Sequence, residues 1–179
     1  MRVARLMFVM MLMSACGDGL ISVGSTELTL TTDRTEYTAH HVSGDGHDAN
    51  YQFTVRLQVE NIGTGTVFMG RCHPGDPTPS YGVGLSNPVG GRESAFNPVW
   101  GCGGHNDNIR LEPGQRRSFD LLISGPNIWD GYTGEPLGIL EGEMRIALGV
   151  VGTTRDIDGG EPPGISNVFR VRKAPTPRR

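Results

Sequence analysis

Three cysteines and five histidines hold most of the chemistry open to this chain of 179 residues. Cys72 is followed at once by His73, and Cys102 is followed three residues later by His105. Two thiolates and two imidazoles form a zinc donor set, but neighbours in an extended chain send their side chains to opposite sides, so Cys72 and His73 suit one tetrahedral ion poorly. In an oxidising compartment the same two cysteines would instead close a loop of about thirty residues, with roughly 3 to 4 kcal/mol of stabilisation in the chain-entropy picture. The expectation is a Cys72 to Cys102 disulfide and no metal. A second cluster, His40, His41, Asp45, His47 and Asp48, lies in the stretch HHVSGDGHDAN. Imidazoles and carboxylates in one loop could hold a transition metal, yet their spacing matches no defined ligand motif, and a solvated loop is expected. Asp156-Ile157-Asp158-Gly159 opens like a calcium loop, but Glu161 stands too close to be its closing bidentate ligand, which leaves a hairpin loop. Glu141 and Glu143 are a carboxylate pair at i and i+2, expected to face solvent from a strand edge. Trp129 and Tyr132, in NIWDGYTG, either offer an exposed aromatic contact to a protein or glycan or cap the end of the fold.

Motifs that announce catalysis are missing. The chain has no Gly-x-Ser-x-Gly elbow, no His-Glu-x-x-His and no glycine-rich phosphate loop between a strand and a helix. No catalytic residue and no cofactor is expected, and the chain reads as non-enzymatic. The formal charge is −3 and the basic residues Arg170, Arg172, Lys173, Arg178 and Arg179 gather at the end, so there is no concentrated basic surface for nucleic acid.

The elements that must position these residues are strands. In Tyr51 to Glu60, YQFTVRLQVE, Tyr51, Phe53, Val55, Leu57 and Val59 alternate with polar residues, which is the pattern of a strand buried on one face. Shorter runs follow the same period: Thr26 to Thr32, Val67 to Gly70, Tyr81 to Leu85, Phe119 to Ile123, Met144 to Val150 and Ser166 to Arg172. Glu36 to Thr38 continues the first of them, and His40 to Asn50 is taken as loop. Glu112-Pro113-Gly114-Gln115 has proline and glycine where a type II turn requires them. With 27 glycines and 12 prolines scattered between the runs and no helical period, the fold class is all-β. The expected architecture is an antiparallel β-sandwich of about seven strands, built as one domain over residues 26–172. Residues 173–179 are expected to be a basic disordered tail.

The N-terminus tells where such a domain would live. Arg2 and Arg5 precede the apolar run LMFVMMLM, which is too short to span a bilayer and is followed by Ser14, Ala15 and Cys16. Met13-Ser14-Ala15-Cys16 resembles the lipobox of bacterial lipoprotein precursors, with Met13 where leucine is usual. The resemblance implies that residues 1–15 are a signal peptide and that cleavage follows Ala15. Cys16 then receives a diacylglycerol thioether through its thiolate. Residues 16–25 become the lipidated cysteine and a short polar tether, and the partner at that end is the membrane. Lipidation of Cys16 leaves Cys72 and Cys102 as a pair. Gly17 stands where an aspartate would signal inner-membrane retention, so the family pattern implies outer-membrane attachment in a host that has one.

The domain itself resembles the immunoglobulin-like domains of bacterial surface lipoproteins, including that of the intracellular proteinase inhibitor of bacilli. The likeness spans about Leu28 to Val171. It rests on the strand ending in Asn61 with its Gly/Thr turn, on Leu111 with Glu112-Pro113-Gly114, on Gly142 entering a strand and on Ser166-Asn167-Val168-Phe169. Met144 replaces the pattern's tyrosine, and 71–108 is longer than the pattern. The expected function is a lipid-anchored, non-catalytic envelope module that contacts a protein or glycan through its loops. The alternatives are a proteinase inhibitor and, third, a metal-binding or catalytic envelope lipoprotein.

Overall fold

The computed structural model describes residues 27–44, 49–88, 90–98, 107–130, 132–135, 137–151 and 164–175. Among them there is no α-helix, and the architecture is a mostly antiparallel β-sandwich. Residues 1–15, Cys16, Asp45, His47, Asp48, Cys102, His105 and Asp156 to Glu161 lie outside the described residues.

The Tyr51 run is β3 (Asn50–Asn61), and its alternation is fully realised: Val55, Leu57 and Val59 are completely buried while Thr54, Arg56 and Gln58 face solvent. Along one side β3 pairs with β7 (Arg116–Gly125) in unbroken register, from Glu60 opposite Arg116 to Tyr51 opposite Gly125. Along the other side it pairs with β1 (Leu28–Thr32) at its C-terminal end and with β2 (Glu36–Ser43) at its N-terminal end. The second layer is built on β8 (Gly142–Leu148), flanked by β5 (Tyr81–Leu85) on one side and by β10 (Gly164–Ile165) and β11 (Phe169–Lys173) on the other. β2 belongs to both layers. Its first half runs parallel to β11, and its second half turns to β3.

Phe53 packs edge-on to Phe96 with centroids 5.0 Å apart, and Tyr37 packs edge-on to Phe169 at 5.3 Å. Tyr37 and Phe53 are themselves 5.8 Å apart, so four rings run across the core between the layers. A small third sheet, β6 (Asp107–Leu111), β4 (Val67–Arg71) and β9 (Val150–Val151), extends the core with the buried side chains of Val67, Met69, Ile109 and Leu111.

Eleven described strands replace the seven or so expected, because bends divide what the apolar period reads as one run. Between β1 and β2 the corner is held by Asp33, whose Oδ1 accepts from Tyr37 Oη at 2.7 Å and from the Arg56 amide at 2.9 Å. Burial and then this hydrogen bond raise the Tyr37 phenol from 10 to about 12. Partial burial works against the Asp33 carboxylate, but the donors from Tyr37 and Arg56 outweigh it and hold the group below its usual range.

Two expectations need correction. His40 and His41 lie in β2 rather than in a loop, because the backbone there pairs with β3 at Gln52 and Tyr51. Lys173 is the last residue of β11 and not part of a disordered tail: it pairs with Ala39 and its Nζ lies 5.3 Å from the centre of the Tyr51 ring. The turn at Glu112 forms as read, with Gln115 donating to the Glu112 carbonyl at 2.9 Å and Gly114 at φ +73.

Candidate functional site

The two ends of the sandwich differ. β1 begins at Leu28, opposite Asn61, where Glu27 accepts from Ile62 and Gly63. At the other end of β3, ten residues and roughly 33 Å away at strand rise, β7 finishes opposite Tyr51. The chain leaves β7 there through a cis Gly125–Pro126 bond and enters the stretch that carries Trp129 and Tyr132.

This stretch is a hairpin and not a slack loop. Asp130 N donates to Glu135 O at 2.8 Å and Leu137 N to Ile128 O at 3.0 Å, which ties the arms together. At the tip the Asp130 carboxylate accepts from the amides of Tyr132 at 2.7 Å and Thr133 at 3.2 Å. Those two backbone donors hold the Asp130 carboxyl below its usual range. Trp129 is 39% exposed, Leu137 56%, and Tyr132 is fully exposed at 102%. Of the two readings left open for the aromatic pair, the cap on the fold therefore fails for Tyr132.

The root of the hairpin is clamped on residues 93–97. Ala95 donates to Ile139 O at 3.0 Å, Ile139 to Glu93 O at 2.9 Å, and Asn127 to Ala95 O at 2.7 Å. Two glycines permit this approach. A Cβ on Gly138 would lie 2.4 Å from Ala95 Cα, and one on Gly125 would lie 2.6 Å from Phe96 Cδ1. Phe96 is wholly buried and anchors the segment in the core. Ser94 is 1% exposed; its hydroxyl accepts from the Phe96 amide at 3.2 Å and lies 3.5 Å from Met144 Sδ. Met144 thus fills a buried place next to this clamp.

Glu141 and Glu143 do face solvent as expected, and they also line a cleft of about 630 Å³ together with Leu85, Ser86, Asn87, Arg92 and Ile139. The sequence pointed to the two glutamates but not to the residues across from them.

Other candidates separate. Successive side chains on β2 point to opposite faces, so His40 is exposed while His41 meets Tyr51 with ring centres 5.7 Å apart and binds Gly44 O through Nε2 at 2.6 Å. No group of three or more His, Cys, Asp or Glu among the described residues could hold a metal ion. Cys72 is buried at 6% exposure and lies 3.9 Å from Ser80 Oγ, whereas His73 is exposed.

No protein-family model matches the chain, and no curated protein matches it. Among solved structures it is similar to the Northeast Structural Genomics Consortium target SoR45, at 15% identity and a TM-score of 0.38 over 83% of this chain and 85% of that one. A β-glucosidase from Listeria innocua in complex with laminaribiose is similar at 12% identity and a TM-score of 0.36, over 82% of this chain but only 16% of the enzyme. A β-glucosidase involved in saponin metabolism from intestinal bacteria gives 16% and 0.32, again over 16% of its length. At such scores these likenesses carry no argument about activity.

Proposed function

We propose that this protein is a non-catalytic binding module of the bacterial cell envelope, anchored by lipid at Cys16, that meets a protein or glycan partner with the hairpin that carries Trp129 and Tyr132. The observation that carries this reading is the full exposure of Tyr132 at the tip of a turn that is tied by its own hydrogen bonds. A residue whose backbone is held in this way has less chain freedom to lose on binding, and tyrosine and tryptophan supply much of the energy at binding surfaces. The anchor supports the same reading. From a lipid at Cys16 the chain would enter the fold at β1, whereas the hairpin follows β7 at the opposite end of β3.

The signal peptide over residues 1–15 and the pairing of Cys72 with Cys102 belong to the same proposal. Cys102 precedes Asp107 by five residues, and Asp107 is paired in register with Arg71, the neighbour of Cys72. An exported domain can keep such a bridge because its compartment is oxidising.

A photo-reactive phenylalanine analogue at position 132, compared with one at Gln58 on the outer face of β3, tests the reading in cells. Adducts with one partner from position 132 and none from position 58 are expected; equal labelling from both sites removes the hairpin from the account. A rigid exposed loop is also what a proteinase inhibitor presents. Inhibition of any proteinase in a broad panel, lost in Tyr132→Ala, would replace the envelope-module reading with that alternative.

A further inference from the structure

The hairpin does not stand alone at its end of the sandwich. The cleft of about 630 Å³ opens beside its root, between the end of β5, the segment before Glu93 and the start of β8, in the size range of small-ligand sites, roughly 300 to 1000 Å³. Two aliphatic side chains, Leu85 and Ile139, contribute to its wall, and Asn87, Arg92, Glu141 and Glu143 bring an amide, a guanidinium and two carboxylates. Gly142 separates the two glutamates in the chain and leaves open space where a side chain would stand.

These polar groups retain their capacity. None of the ion pairs among the described residues involves Arg92, Glu141 or Glu143. Glu141 Oε1 accepts from the Lys173 amide at 2.9 Å and Glu143 Oε2 faces Ser86 Oγ at a long 3.5 Å, so each carboxylate has an oxygen to spare.

We infer that this cleft seats a saccharide unit of the partner. Amide, guanidinium and carboxylate are planar groups that engage two atoms at once, and adjacent hydroxyls on a pyranose ring both donate and accept at a matching spacing. A phosphate would meet two carboxylates, and an amine would leave Arg92 unused; a neutral polyhydroxy ring uses all four groups and lays its C–H face on Leu85 and Ile139. Ile139 is also part of the hairpin root, through its bonds with Glu93 and Ala95, so the wall of the cleft and the base of the aromatic hairpin are one piece of backbone. The inference rests on the binding-module reading and narrows the partner to a glycan.

The test is a titration of the mature domain, followed by amide NMR, with cellobiose, maltose and N,N′-diacetylchitobiose, and with cadaverine as a cationic control. Saturable shifts at Gly90 and Gly142 are expected with at least one disaccharide. Arg92→Ala and Glu143→Gln should each weaken that binding about tenfold or more, the usual worth of a hydrogen bond to a charged group, with the melting temperature unchanged. No saturable shift from any of the three sugars overturns the inference, as does sugar binding indifferent to both substitutions, or binding of cadaverine alone. The two readings fail separately. Position 132 adducts without sugar binding sink the cleft and leave the module, whereas Arg92-dependent sugar binding without adducts supports the cleft and removes the hairpin.

Discussion

Gly138→Ala tests whether the hairpin is clamped to the sandwich. The added methyl would lie 2.4 Å from Ala95 Cα, 2.6 Å from its nitrogen and 2.7 Å from its Cβ. Two of these atoms are backbone, so no rotamer change relieves the contact, and either the 93–97 segment or the hairpin root must shift. Forced overpacking costs about 1 to 3 kcal/mol, and the reduced freedom of the unfolded chain returns only about 0.4 to 1 kcal/mol. The net expectation is a loss of about 1 to 2 kcal/mol. At a urea slope of about 1 to 3 kcal/mol per molar, the midpoint falls by roughly half to one molar. Gly84→Ala is the control, because a Cβ there meets nothing within 4 Å and Gly84 has no positive φ. Its midpoint should stay put or rise slightly. Amide exchange of Asn127, Ala95 and Ile139 should quicken in Gly138→Ala only. If Gly138→Ala unfolds at the wild-type midpoint with those amides still protected, the hairpin is not held as described.

Val55→Asp places a charge at a completely buried position opposite Leu121. The cost of several kcal/mol, against a total of about 5 to 15, should leave the domain unfolded by circular dichroism. Stability should also fall at high pH through Tyr37: its phenol ionises near 10 when unfolded and at about 12 when folded, so its contribution is complete below 10 and is lost as pH rises through 12. Urea midpoints measured from pH 9 upward should show this decline in wild type and a shallower one in Tyr37→Phe. Cys16→Ser should move the protein from the membrane fraction to the soluble one and end fatty-acid labelling. The purified mature domain should contain no titratable thiol until it is denatured and reduced.

What was legible in the chain followed burial. Where one face is covered, as in β3, β7 and β8, alternation marks the strand and its inward side. Where a strand is held by backbone pairing alone, the signal fades. His41-Val42-Ser43 ends β2 with Val42 48% exposed, and nothing in that composition separates strand from loop. The exposed aromatic pair was visible as a candidate because tryptophan and tyrosine stand out in a polar stretch. The clamp beneath it was not, since Phe96 has no apolar period around it, and its partners Phe53 and Gly125 are far from it in the chain. The cleft was half visible for the same reason: Glu141 and Glu143 are neighbours in sequence, but Asn87 reaches them through the pairing of β5 with β8 and Arg92 through the bonds between residues 93–95 and Ile139.

The most direct test of the binding-module reading is cosedimentation of the lipid-free domain, residues 17–179, with purified envelope fragments of its host. Saturable retention in the pellet is expected, with nearly complete loss in the Trp129→Ala/Tyr132→Ala double variant and an unchanged melting temperature. Retention of the double variant at the wild-type level, or no retention of the wild-type domain, would contradict the account.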